Sequence, residues 1–260
     1  MTTSSSAPAT SESLQRVLAF IRDDLIRTAD VAKPVDGGVV LSTPSLPLVW
    51  SVNQLRISEP IGFEALIALA AEERSGFDYR HVVVEDQVTG PALAARFRGA
   101  GWGATRDLQM ILAGDPDRPG DTSVVTEADE DEVLELMARW HGEGASVPAD
   151  EIAQLTAFSR RQGEIYGDQL LGVRSSDGTL VAITKLRGDG RTAQVEDVYT
   201  VPEARGRGYA RALVWRAVEL ARAAGHDLVF ITADENDWPK RLYARLGFRA
   251  VGRVWQFHTG

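Results

Sequence analysis

Val198-Tyr199-Thr200-Val201-Pro202-Glu203-Ala204-Arg205-Gly206-Arg207-Gly208-Tyr209-Ala210 is the stretch on which the reading of this chain turns. A strand leaves through Val201, turns over 202–204, and enters a helix through Arg205-Gly206-Arg207-Gly208. The helix, 208–224, carries Ala210, Leu213, Val214, Ala217, Leu220, Ala221 and Ala224 on one face, and Gly225 ends it. Glycines let a backbone come close to a ligand, and a helix N-terminus offers unpaired N–H groups with partial positive charge. That suits phosphate, and Arg205 and Arg207 can add charge. A glycine turn joining strand to helix is the plainer alternative. No Gly-Lys-Ser/Thr follows, so this is not a P-loop, and dinucleotide-fold glycine spacing is absent.

Working outward, Asp129 and Thr126 start a helix bearing Val133, Leu136, Met137 and Trp140, and a second helix runs from Pro148 to about Arg161. Strands are expected at 169–174 and 179–187, joined by Asp177-Gly178, and at 191–201. After the helix come a strand 228–232, a short helix 239–246 and a strand 251–257. One strand–helix–strand crossover, 194 to 232, gives a mixed α/β fold. Before all this, 13–28 reads as a helix on Leu14, Val17, Leu18, Ile21 and Leu25. Strands follow at 39–41 and 48–57, then a helix 63–74, a strand 81–85, a helix 91–98 and a strand 108–112. Residues 113–122, with two prolines and two glycines, read as a linker. The expected division is a floppy tail 1–12, an α/β domain 13–112, the linker 113–122 and a second domain 123–260.

Arg205 to Ala210 fits the pattern Arg/Gln-x-x-Gly-x-Gly/Ala, and the chain from Thr122 to Phe257 resembles the GNAT N-acetyltransferase superfamily in its order of elements. Asn236 and the run Leu242-Tyr243-Ala244-Arg245-Leu246-Gly247-Phe248 extend the resemblance. It implies a central mixed sheet flanked by helices and acetyl-CoA as donor, its pyrophosphate on the 205–210 loop. Backbone N–H groups around Asp197, Val198 and Tyr199 would polarise the acetyl carbonyl, Thr200 belongs to the same cofactor-binding set, and the Val201 backbone would pair with the pantetheine arm. Gly206, Arg207, Gly208, Tyr209 and Ala210 would hold phosphate, Asn236 would contact the cofactor, and Tyr243 would protonate the leaving thiolate. Tyr243 is otherwise a core aromatic, and Asn236 otherwise a helix cap. For the general base, adjacent strand positions Glu196 and Asp197 point to opposite faces, so at most one meets the acceptor. Glu196 is preferred, with His141 a weaker candidate.

The first half reads as a degenerate copy, making two tandem GNAT-like domains of which only the C-terminal one is intact. Aligning Gly101-Trp102 with Gly247-Phe248 puts Phe97 at the place of Tyr243 and Gly90 at that of Asn236. Its connection 58–62 holds no glycine pair and no arginine, and Glu59 would repel phosphate. This half is therefore expected to bind no acetyl-CoA, and instead to wall the acceptor site, complete the core or make a dimer contact.

The chain has 260 residues, a net charge of −9, four histidines and no cysteine. Thiolate sites and a cysteine nucleophile are excluded, and the scattered histidines suggest no metal site. Both halves are acidic, which argues against nucleic-acid or anionic-membrane partners. No apolar run reaches the length of a membrane span and no signal peptide is evident, so a cytoplasmic location is expected. The resemblance implies an acetyl-CoA-dependent N-acetyltransferase acting on a small-molecule or peptide amine, with a homodimer compatible. The alternative is a non-catalytic CoA- or acyl-CoA-binding sensor.

Overall fold

The computed structural model describes residues 6–73, 78–143 and 147–259. Its backbone divides into two compact units, one of Met1–Gln109 with Thr232–Lys240 and Ala250–Gly260, the other of Met110–Ile231 with Arg241–Arg249. The division does not follow the break anticipated at 113–122: the last strand clusters with the first unit, where its aromatic residues are buried.

In the first unit, α1 (Ser6–Thr28) precedes a hairpin of β1 (Val31–Val35) and β2 (Gly38–Ser42). Then come β3 (Leu55–Ile57), α2 (Phe63–Glu73), β4 (Arg80–Val84), α3 (Gly90–Gly99) and β5 (Gly103–Leu112). The helix α1 begins inside the segment anticipated as a tail. Pro8 falls in its first turn, where a missing N–H costs nothing. The strand anticipated over 48–57 shortens to β3, because Trp50–Val52 coils into a 3-10 turn. Fully buried Asn53 fastens that turn, accepting from Thr43 N (2.7 Å) and donating to the Leu46 and Val49 carbonyls (2.8 and 2.9 Å). β2 pairs antiparallel with β3, and β3 pairs parallel with β4 through the α2 crossover. Leu55, Ile57, Leu66, Val82, Val84, Leu93 and Phe97 fill the core beneath.

The second unit runs β6 (Val125–Glu127), α4 (Glu130–His141), α5 (Ala149–Tyr166), β7 (Gln169–Arg174), β8 (Leu180–Gly188) and β9 (Thr192–Thr200). After these come α6 (Tyr209–Ala223), β10 (Leu228–Asp234), α7 (Pro239–Arg245) and β11 (Phe248–Thr259). Asp129 caps α4 by accepting from Asp131 N and Glu132 N (2.9 and 3.3 Å), a bond whose loss typically costs about 1 kcal/mol. α5 runs past Arg161 to Tyr166 and stops at Gly167, whose φ is +65°. Strands β6 to β9 form an antiparallel meander, and α6 carries the chain over to β10, which lies parallel to β9. Val133, Met137, Val181, Ile183, Tyr199 and Val201 pack as one core with α4. From Trp255 to Thr259, β11 pairs antiparallel with β4, which places Trp255 and Phe257 in the first unit's core.

Candidate active site

β9 carries two irregularities in quick succession. It pairs with β10 only from Thr192 to Val195, so residues 196–200 have no strand partner on that edge among the described residues. On its other edge the register shifts: Lys185 lies opposite Glu196, yet Ile183 lies opposite Tyr199. That is a β-bulge, which leaves an extra residue unpaired and turns the backbone groups beside it away from the ladder. The bulge centres on Asp197, whose φ of +53° is left-handed, a conformation that typically costs a residue with a side chain about 1–2 kcal/mol.

The strand then enters the loop. Val201 is buried, its N–H donates to the Val181 carbonyl (3.0 Å) and its own carbonyl accepts from Ala204 N (2.9 Å). The expectation that Val201 pairs with a pantetheine arm is corrected by this: its amide is already committed, and the strand edge open to a ligand is 196–200. Gly206 and Gly208 have φ of +77° and +86°, and a Cβ on either would meet open space. Only glycine reaches these angles freely, so the loop is set for close approach from outside. α6 starts with no side-chain cap and no acid in its first turn, so its leading N–H groups are open to an anion. Tyr209 and Ala210, half-buried, form that first turn, with Tyr209 against the α4 core.

The two arginines differ. Arg207 is exposed and pairs with no acid among the described residues. Arg205 donates to the Thr200 carbonyl (3.0 Å) and to Glu143 (2.9 Å), just past α4. Glu143 also accepts from the Tyr199 hydroxyl, and the Tyr199 ring stacks on Trp140 at 5.3 Å and 18°. Burial, then the Glu143 carboxylate, push the Tyr199 hydroxyl up to about 12, so it stays protonated. A second tie joins Arg139 to Glu203 at 2.8 Å. The end of α4 is thus stapled to the glycine loop, a link the sequence did not reveal because its partners lie some 60 residues apart.

The adjacent acids also sit differently from expectation. Lys185 and Arg187 project from one face of β8, and the bulge turns Asp197 onto that face with Glu196. Asp197 pairs with Lys185 (2.9 Å), and Glu196 lies 3.3 Å from Arg187. Arg187 also holds Asp168 through two bonds (2.9 and 2.6 Å) and has no exposed side-chain surface. The opposite-face prediction for Glu196 and Asp197 fails because strict alternation ends at a bulge. Two cations spaced by one residue in the mostly apolar Leu180–Gly188, opposite an acidic pair, were the available signal. His141, half-buried at the end of α4, feels Asp197 and Lys185; burial is the largest effect and lowers its imidazole from the ordinary value, which favours the neutral ring.

Tyr243 lies on the buried face of α7 with Leu246, 7% exposed, and its ring stands 6.5 Å from Phe248. Gly247, φ +89°, ends the helix; a Cβ there would strike the Gly114 carbonyl, and Ala113 N donates to the Gly247 carbonyl (2.9 Å). Asn236 is exposed, and its backbone N–H donates to Asp234 (2.7 Å). Its side chain caps no helix among the described residues; Asp237 instead accepts from Trp238 N (2.7 Å). Asn236 belongs to the segment that clusters with the first unit.

Residues 131–248, from α4 to the Tyr243 helix, match the family model described as Acetyltransferase (GNAT) family. The chain is also 30% identical over 134 residues to a glucosamine 6-phosphate N-acetyltransferase from Trypanosoma brucei brucei, a match covering 50% of this chain and 89% of that protein. The chain belongs to the GNAT acetyltransferase family. A mycothiol acetyltransferase from Beutenbergia cavernae is 36% identical over 131 residues, 48% of this chain and 43% of that one, so the GNAT match spans less than half of that relative. Among solved structures, a tandem GNAT protein from the clavulanic acid biosynthesis pathway superposes with a TM-score of 0.59 at 15% identity, covering 99% of this chain and 96% of that one. The GNAT fold, present as a tandem pair, therefore accounts for nearly the whole chain, and the protein is an acyltransferase by family.

Proposed function

We propose that the second unit transfers an acetyl group from acetyl-CoA to the primary amine of a small molecule. The carrying observation is the free edge of β9 beyond Val195, with its bulge, running directly into the open glycine loop and the uncapped α6. An extended donor arm can hydrogen-bond along such an edge as a further strand would. Its pyrophosphate would rest on Gly206, Arg207, Gly208 and the first N–H groups of α6, where a Cβ-free backbone leaves room.

The chemistry requires four services: alignment, an amine without its extra proton, donors for the carbonyl oxygen and a proton for the thiolate. Backbone N–H groups at Asp197–Tyr199 polarise the carbonyl as the amine nitrogen attacks and the C–S bond breaks. Tyr243 donates its hydroxyl proton to the sulfur. We assign the acceptor's proton to His141 in place of Glu196. Burial lowers the His141 imidazole and so favours its neutral, proton-accepting form, whereas Glu196 is held against Arg187. The acceptor reading draws on the Trypanosoma relative, whose name specifies an amino-sugar phosphate; a peptide amine is the broader possibility.

Calorimetric titration with acetyl-CoA tests the proposal. One site per chain, followed by thiol release with an amine from a small-molecule panel, is expected. Absence of both heat and thermal shift would sink it. Binding without turnover across amino sugars, amino acids and peptides would favour the sensor alternative.

A further inference from the structure

Asp197 is the sole non-glycine residue with positive φ among the described residues. It lies at the point where β8 and β9 slip register. Its carboxylate is 2.9 Å from Lys185 Nζ, and the Lys185 side chain is only 3% exposed. Lys185 Nζ also donates to the hydroxyl of Ser159, a buried residue of α5. Neither feature is what a strand selects by itself. A buried ammonium costs stability unless paired, and an aspartate gains nothing from a left-handed turn in a sheet. Each accounts for the other: the ion pair can form only if the bulge swings Asp197 onto the face of β8 that carries Lys185.

We infer that Lys185 is a positioning residue for acyl transfer, holding the Asp197 carboxylate and thereby fixing the bulge whose N–H groups face the acyl carbonyl. Lys185 touches neither substrate; it acts through the backbone of Asp197–Tyr199. The inference rests on the acetyltransferase reading above, and goes beyond it by naming what keeps the carbonyl-polarising backbone in place. Ser159 fixes the ammonium from the α5 side, so two elements and not one define the bulge. A cavity of about 210 Å³ beside Lys185, lined by Val133, Leu134 and Leu170 among others, can take a methionine side chain in its place without crowding.

The experiment is a cycle of Lys185→Met, Asp197→Gly and the double variant in the full chain. Glycine takes positive φ without strain and leaves no carboxylate to strand. Asp197→Gly, which alters the carbonyl-polarising segment itself, sets the reference rate against which the double variant is read. Lys185→Met alone should lose about 10²-fold in kcat, the scale of a 1 Å misplacement of a reacting group. The double variant should recover to the level of Asp197→Gly. Affinity for free CoA, which has no acyl carbonyl, should stay unchanged throughout. An equal loss from Lys185→Met in both backgrounds, no loss at all, or weakened CoA binding in step with turnover would overturn the inference. Amide hydrogen exchange at residues 197–199 gives a readout that does not need turnover. It should rise in Lys185→Met and return in the double variant, and unchanged exchange would equally overturn the positioning role. If the wild type binds acetyl-CoA but acetylates nothing, the acetyltransferase reading fails while the exchange result still judges the ion pair.

Discussion

The two units each send a strand through a short connection into a helix and back to a parallel strand: β9 to α6 to β10, and β3 to α2 to β4. The topology is shared and the chemistry is not. β3 keeps regular register with β2 from Leu55 to Ile57, with no bulge. The amides of Ser58 and Glu59, first in its connection, both donate to the Gly37 carbonyl (2.9 and 3.2 Å). The donors that an anion would need are thus spent on the fold, and Glu59 adds the wrong charge. In the second unit Gly206 and Gly208 hold left-handed turns with open space outside. The first unit's connection thus spends its first two amides on the fold, while the second unit's glycine turns leave open space outside.

The same contrast holds at the acid. Tyr243 is nearly buried yet carries a hydroxyl. Phe97, its counterpart, is fully buried, stacked on Phe257 at 4.1 Å and 8°, with Trp102 and Phe63 edge-on. Tyr243→Phe should lower kcat by roughly 10²–10⁴-fold, with CoA affinity nearly unchanged. Phe97→Tyr should gain no activity and destabilise by about 1–3 kcal/mol, because the new hydroxyl enters an apolar cluster without a partner. Thermal melts and initial rates on both variants decide this. A Phe97→Tyr chain that gained a second CoA site would break the comparison.

Two histidines offer the next test. Burial depresses both, but His81 is held in the first unit between the Trp50 carbonyl (3.1 Å) and Gln256 (2.9 Å), whereas His141 is only half-buried and stacks on Trp140. His141→Gln should cost about 10²-fold in kcat, the lower end of general base catalysis. In the wild type, kcat should fall as pH drops below the His141 value, because the protonated ring cannot accept the amine's proton. His81→Gln should affect melting temperature alone. A pH profile of kcat that is the same with and without His141 would remove it as the base.

The glycines give a smaller effect. Gly208→Val forces a β-branched residue to φ +86° and should weaken acetyl-CoA binding at least about tenfold. Gly62, at the equivalent helix entrance in the first unit, needs no positive φ and has nothing near its absent Cβ. Gly62→Ala should stay within about 0.5 kcal/mol of the wild type and leave donor binding intact.

Much of this contrast was legible in the sequence. The glycine loop, the α6 stripe, the Asp129 cap and the Leu-Tyr-x-x-Leu-Gly-Phe run are local signals, and local signals survive reading one residue at a time. The difference between the two connections was legible too, from Glu59 and the missing glycines. What escaped depends on distant partners. β1 contains Pro34, which reads as a breaker until its place at a hairpin edge is known. The bulge at Asp197 is dictated by Lys185 across the ladder, and no periodicity in β9 announces it. The allegiance of β11 to the first unit is written in Trp255 and Phe257, but apolar residues state that they are buried and not where.

Buried charge separates the units once more. Asp107, in the first unit, accepts from Gln256, and burial pushes its carboxyl up to about 6. The nearby Asp234 adds to the rise, while the Gln256 bond and Arg56 oppose it. In the unfolded chain an aspartate titrates near 4. The folded state therefore holds this proton more tightly, and the stability it contributes is full below about pH 4 and lost as pH rises through 6. Asp107→Asn keeps an acceptor for Gln256 and removes the charge, so it should stabilise the protein at pH 7 by on the order of 2 kcal/mol and by little at pH 4. Acid should then move two properties in opposite directions. Turnover falls as His141 protonates, while the contribution of Asp107 to stability rises. Melting curves of the wild type and Asp107→Asn at pH 4, 6 and 7 check the second trend, and a stability difference independent of pH would show that Asp107 is ionised throughout.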